Sequence, residues 1–242
     1  VDHDNTGKSW GHLTSGGSTA ILEAIWVARN MKYFPLSLKL LYLFAKRQNT
    51  SINQDIARFS SLGSLYLPLP NGQQKTLDEI SFIELFNLSS PAIASLHDNA
   101  FRHLATRSFD AHPNDIFALN ECSKIFHEAI EPFLVQHLGV QGIHQRVSHE
   151  SGNSDSTQAQ DQYELPLPLV YVSTAAHYSW KKNLGITGIG ISQVRELVCE
   201  KDFSIDLSNF KKQLEANRDQ PILLVVGMLG TTEEGAIDPI QE

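Results

Sequence analysis

From residue 168 onward the chain alternates between two hydrophobic periods, and this rhythm constrains the fold more than any other feature. Leu169–Ser173 and residues 222–227 are short apolar runs dominated by Val, Ile and Leu, and residues 193–198 form a third run of strand length. Between them, residues 177–184 and 207–217 carry apolar side chains at helical spacing. Strands that alternate with helices imply a largely parallel sheet, because each crossover lays a helix on one face. The sequence therefore reads as α/β. Ligands of such sheets bind beyond the carboxyl ends of the strands, which points to residues 173–177 and 227–232 as the places for chemistry.

A second feature specifies a ligand charge. Thr14-Ser15-Gly16-Gly17-Ser18-Thr19-Ala20 runs directly into the helical pattern Ile21-Leu22-Glu23-Ala24-Ile25-Trp26-Val27-Ala28-Arg29-Asn30. Two glycines permit a tight turn with close backbone approach, and the helix leaves its first N–H groups without intrahelical partners. With the hydroxyls of Ser15, Ser18 and Thr19 and the positive end of the helix dipole, these donors make a pocket for an anion, a phosphate above all. The same residues also serve as ordinary caps of an amphipathic helix, and the turn alone does not decide between the two. The pattern predicts a helix over residues 17–32, a break at Pro35 and a second helix over 36–47.

The middle of the chain is less informative. Residues 51–75 are punctuated by Pro68, Pro70, Asn71 and Gly72 and read as containing a loop. Residues 77–88, 92–107 and 122–138 have helical spacing, the last interrupted by Pro132. Residues 148–164 contain four acids, no Lys or Arg and almost nothing apolar, a composition that reads as a mobile surface loop. No internal repeat is evident.

Three segments in order, Ser15-Gly16-Gly17-Ser18-Thr19-Ala20, then Ala176-His177-Tyr178-Ser179-Trp180-Lys181-Lys182, then Gly230-Thr231-Thr232-Glu233-Glu234-Gly235-Ala236-Ile237-Asp238-Pro239, resemble the group II pyridoxal-phosphate-dependent amino-acid decarboxylases. Within that family the pattern is most like the bacterial tyrosine decarboxylases, including Asn30-Met31-Lys32 and Pro35-Leu36-Ser37-Leu38-Lys39. The match covers residues 9–39 and 168–242. The 137 residues between Lys39 and His177 exceed what that branch carries, so part of 40–165 reads as an insertion. The resemblance implies part of the large domain of pyridoxal phosphate fold type I, a three-layer, mostly parallel sheet. It implies pyridoxal 5'-phosphate as cofactor, decarboxylation of an L-amino acid to the amine and CO2, an aromatic, tyrosine-like substrate, and a cytoplasmic homodimer with its active site near the subunit interface.

Carried over by position, Gly17 and Ser18 bind the cofactor phosphate through backbone N–H and hydroxyl. His177 stacks on the pyridine ring and is the candidate catalytic proton donor, and Thr232, or its neighbour Thr231, touches the cofactor. Stacking an imidazole on a heterocycle is worth ~0.5–1.5 kcal/mol, and its titration range suits proton transfer near neutrality. The family often has Asn where this chain has Ile21, a departure affecting a supporting contact one turn into the helix rather than the phosphate turn. The other nine histidines receive no role and show no metal-ligand spacing, so no metal site is expected.

Two family features are missing. A His-Val-Asp-Ala-Ala type strand supplies the Asp that pairs with the pyridine nitrogen, and a later His-Lys pair supplies the Schiff-base lysine. None of the ten histidines precedes a Lys, and Asp110-Ala111-His112 lacks a strand context. Lys182 belongs to a motif whose family counterpart is not the Schiff-base lysine. The chain begins at Val1 and stops at Glu242, and the expectation is a piece of a longer protein, inactive alone. A non-catalytic paralogue acting as a binding or scaffolding module is the competing reading. A nucleotide-binding domain is disfavoured, because Ser15-Gly16-Gly17-Ser18 has neither G-x-G-x-x-G spacing nor a P-loop ending.

Composition narrows the partners. A net charge of −8 without a basic cluster argues against nucleic acid. No apolar run approaches the ~20 residues that span a bilayer. Two isolated thiols, Cys122 and Cys199, give no sign of an oxidising compartment.

Overall fold

The computed structural model describes residues 11–48, 54–107, 109, 112, 115–151 and 165–241. It opens on α1 (Gly17–Arg47), a helix of 31 residues. A short helix α2 (Gln54–Ala57) and a 3-10 turn lead to a hairpin of β1 (Tyr66–Pro68) and β2 (Gln74–Thr76). Helices α3 (Phe82–Phe86), α4 (Ser90–Arg107), α5 (Ile116–Ile130) and α6 (Val135–Ser151) follow, α6 being kinked at Gly139, whose φ of 70° suits glycine. The last part alternates β3 (Leu169–Ser173), α7 (Ser179–Ile186), β4 (Val194–Leu197), α8 (Leu207–Ala216) and β5 (Ile222–Val225).

The three strands form a parallel sheet in the order β4-β3-β5. All five residues of β3 are buried, as a central strand covered on both faces requires. Val170, with Val194 and Leu224 beside it, faces the large core that holds α1, while Leu169 and Tyr171 face α8 through Phe210 and Leu214. The β3–β5 register slips by one residue between Leu169↔Ile222 and Val170↔Leu224. That bulge keeps Ile222 on the α8 side while Leu223 and Leu224 both join the main core. Helix, sheet and helix give three layers, so the α/β class read from the sequence is the observed one.

Pro35 does not break α1. From Tyr33 to Tyr42 every residue except Phe34 is buried, so this half of the helix is enclosed on all sides, packed among α3, α4, α5 and α6. An interior proline costs roughly 3 kcal/mol, and the burial of Leu36, Leu38, Leu40 and Leu41 more than offsets it at about 1.5–3 kcal/mol each. The loop read within residues 51–75 falls at residues 69–73, where it joins β1 to β2 as a hairpin closed by Leu69, whose N–H and carbonyl bond to Gln73 and Gly72.

The acidic stretch also begins differently from its reading as a loop. Residues 148–151 are the last turn of α6, where Glu150 pairs with Arg47 at the end of α1. The remainder, residues 152–164, lies outside the described residues. The helices between residues 54 and 151 share one hydrophobic core with α1 and with Val170 and Leu184 of the sheet region. No described helix is long and apolar enough to cross a membrane.

Candidate active site at the carboxyl end of the sheet

Helix α1 begins without a side-chain cap. The N–H groups of Thr19 and Ala20 both turn back to the Gly16 carbonyl, each at 3.1 Å, and the first turn holds no acidic residue. The N–H groups of Gly17 and Ser18 precede them and are the helix's free donors. Ser15 and Thr19 spend their hydroxyls on each other at 3.1 Å, which fits the lesser, capping role. Gly17 and Ser18 are exposed, and no atom stands within 4 Å of a Cβ built on Gly17. Two open amides, an exposed hydroxyl and no nearby carboxylate in the turn form a donor set that fits a phosphate.

The start of α1 is held by α7. Asn183, almost fully buried, donates from Nδ2 to the Ser18 carbonyl at 2.7 Å, and Arg29 further down α1 donates to the Thr187 carbonyl at 2.7 Å. Contacts that advance along both helices together mean that α1 and α7 run in the same sense. Helix α7 starts just beyond the carboxyl end of β3, so both N-termini point to that end of the sheet.

His177 lies between β3 and α7. Its Nδ1 accepts the Ser179 N–H at 3.2 Å and pairs with the buried Ser179 hydroxyl at 2.7 Å. A ring nitrogen that accepts a backbone N–H carries no proton, so the neutral imidazole bears its proton on Nε2. The ring is exposed and lies against Tyr178, centroids 4.4 Å apart. Behind it a cleft of about 170 Å³ runs along Ser173, Thr174 and Trp180 and is walled by the Lys181–Glu196 ion pair, 2.6 Å.

The loop after β5 supplies the remaining residue. Thr231 builds the turn: its Oγ1 accepts the Ala236 N–H at 3.0 Å and its carbonyl accepts the Gly235 N–H at 3.1 Å. Thr232 follows it, exposed on the same turn. Because β5 pairs directly with β3, residues 227–232 and 173–177 leave the sheet side by side. His177 and Thr232 thus follow the carboxyl ends of the paired strands β3 and β5, and Gly17 and Ser18 begin the helix that Asn183 of α7 holds. Three supporting residues escaped the sequence reading: Asn183, Ser179 and Asp238. The first was visible only as an amide on a helix, and the third lies within the Gly230–Pro239 motif without any signal of burial.

An open helix N-terminus beside the strand exits of a parallel sheet is an α/β arrangement whose donors suit an anionic ligand. Residues 133–242 match the model of the pyridoxal-dependent decarboxylase conserved domain. The chain is 26% identical over 241 residues to the L-tyrosine decarboxylase of Enterococcus faecium, a match covering 98% of this chain and 27% of that protein. To the L-tyrosine decarboxylase of Enterococcus faecalis it is 23% identical over 237 residues, 97% of this chain and 26% of that one. A crystal structure of mouse CSAD in apo form matches 31% of this chain and 16% of its own, at 26% identity and a TM-score of 0.29. The chain is thus similar to pyridoxal-dependent decarboxylases, and the model of their conserved domain matches residues 133–242. It spans about a quarter of the length of these curated relatives. The similarity runs through residues 40–165 as well as the two ends.

Proposed function

We propose that the protein decarboxylates an L-amino acid to its amine and CO2 with pyridoxal 5'-phosphate, and that the favoured substrate is aromatic and tyrosine-like. The observation that carries this reading is the uncapped start of α1, tied through Asn183 to α7, the helix that follows His177. The names of the tyrosine decarboxylase relatives support the substrate class. The chain acts as part of a fold type I large domain, and the complete protein as a cytoplasmic homodimer acting on small molecules.

When bound, the cofactor supplies an electron sink for the pair of electrons left by CO2. The chain's own residues bind and orient. The Gly17 and Ser18 amides and the Ser18 hydroxyl hold the phosphate, and the dipole of α1 adds about 0.3–1 kcal/mol. His177 would cover the cofactor ring, its Nδ1 held by Ser179, which leaves Nε2 at the free edge of the imidazole as the proton-bearing atom. Thr232 bounds the site on the β5 side. Neither the Asp that pairs with the pyridine nitrogen nor the His-Lys pair of the resemblance occurs in these 242 residues. On that basis the polypeptide alone binds the cofactor near the millimolar range, about −4 kcal/mol, and turns over nothing.

The test is CO2 release from a panel of amino acids by the complete protein with added cofactor. Preferential release from an aromatic amino acid is expected. Cofactor binding without release from any of them would overturn the enzyme reading in favour of a non-catalytic binding module, the competing reading.

A further inference from the structure

We infer that Asp238 is a positioning residue, which holds the loop after β5 so that Thr232 faces the ligand end of the sheet. The inference rests on the site proposed above. Asp238 is 3% exposed, yet its carboxylate meets no cation among the described residues. Both oxygens accept backbone N–H groups instead: Oδ1 from Ile205 at 2.9 Å, Oδ2 from Met228 at 2.7 Å. Its own N–H donates to the Met228 carbonyl at 2.9 Å. Asp238 therefore ties the two ends of its loop together and fastens them to the connection after β4.

That connection is itself ordered. Cys199 and Ile205 bridge in antiparallel fashion, Asp206 N–H donates to the Val198 carbonyl, and Asp206 caps α8. Since β4 and β5 flank β3, the carboxylate joins the exits of the two outer strands. Ile205 belongs to the cluster under α8, so the clamp closes that side of the sheet, opposite the side where α1 and α7 lie. Between its anchor points the loop is cross-braced by Leu229↔Ile237 and by Gly230 N–H to the Ala236 carbonyl at 2.8 Å. Thr232 sits at the tip of this braced hairpin.

A carboxylate can accept both amides. An Asn at this position presents one acceptor and one donor, so one buried N–H loses its partner. The experiment uses the full 242-residue chain and pyridoxal phosphate as probe. Asp238→Asn is expected to speed amide exchange at Met228 and Ile205 and to weaken binding about tenfold. In a Thr232→Val background the same substitution is expected to change binding less than twofold, because the residue acts through Thr232. Ser18→Ala, at the other end of the site, multiplies onto either effect. Additive losses from Asp238→Asn and Thr232→Val, with Ser18→Ala weakening binding as expected, would overturn this inference alone. Failure of the unsubstituted chain to bind the probe in a phosphate-dependent way would overturn both readings. Unchanged exchange at Met228 and Ile205 in Asp238→Asn would remove the clamp itself.

Discussion

The helical region of residues 54–151 and the sheet region of residues 165–241 are stabilised in different ways. The helical region packs α3 to α6 around the enclosed half of α1, burying Tyr33, Phe59, Phe86 and Phe126 almost completely. The sheet region has one comparably deep strand, β3. Its outer face is covered by α8, which buries no residue fully, and β5 leaves Val225 44% exposed. Four buried residues make up that outer cluster. The deepest packing surrounds the far half of α1, whereas Gly17 and Ser18 stand at its open start and His177 and Thr232 follow strand exits of the thinner half. Local stability and ligand-bearing segments separate in this way when function needs exposed backbone donors.

The largest expected effect tests this contrast directly. Phe86→Ala should cost about 3–5 kcal/mol in urea unfolding, as a fully buried aromatic does. Phe210→Ala on α8, only partly buried against Tyr171 at 5.3 Å, should cost about 1–2 kcal/mol. Equal costs would erase the distinction.

The joint between the regions comes next. Asn183→Ala removes the hydrogen bond to the Ser18 carbonyl and should cost about 1–2 kcal/mol. It should also weaken pyridoxal phosphate binding, because the open end of α1 loses its brace. A stability loss with unchanged binding would show that α7 supports α1 but not the phosphate turn.

The smallest effect concerns acid. In the helical region Glu84 closes a capping box with Ser81 and pairs with Lys75 at 2.6 Å, and the Lys75 hydrogen bond, then the Ser81 backbone N–H, bring its carboxyl down to about 2. A depressed carboxyl contributes stability that is present above its unfolded value near 4.5 and is lost as the pH falls towards 2. With partial exposure screening the interaction, the loss should be about 1 kcal/mol. Glu84→Gln should flatten stability between pH 4.5 and 2, measured by thermal unfolding.

How much was legible follows the same division. Leu169–Ser173 was readable to the residue, since a buried parallel strand is a short apolar run, here bounded by Pro168 and Ser173. The neighbouring helices and strands were readable to within two residues. The β1–β2 hairpin was not, because three-residue strands carry too little pattern, and Pro68 and Pro70 look like loop signals. Continuity of α1 through Pro35 was also hidden, since a proline's local cost is visible in sequence and the surrounding burial that offsets it is not. In the candidate site, Gly17, Ser18, His177 and Thr232 are proposed from motif and position. Asp238 and Asn183 act on backbone groups far along the chain, across 33 and 165 residues, and nothing local marks such partners.

The central claim is that the open amides of α1 and the imidazole of His177 serve one ligand. Amide and imidazole NMR shifts during titration of the chain with pyridoxal phosphate, and separately with pyridoxal, test it most directly. The account predicts that Gly17, Ser18 and His177 move together, with one binding curve, for the phosphorylated compound and barely respond to the other. Shifts at His177 without Gly17 and Ser18, or equal responses to both compounds, would contradict it.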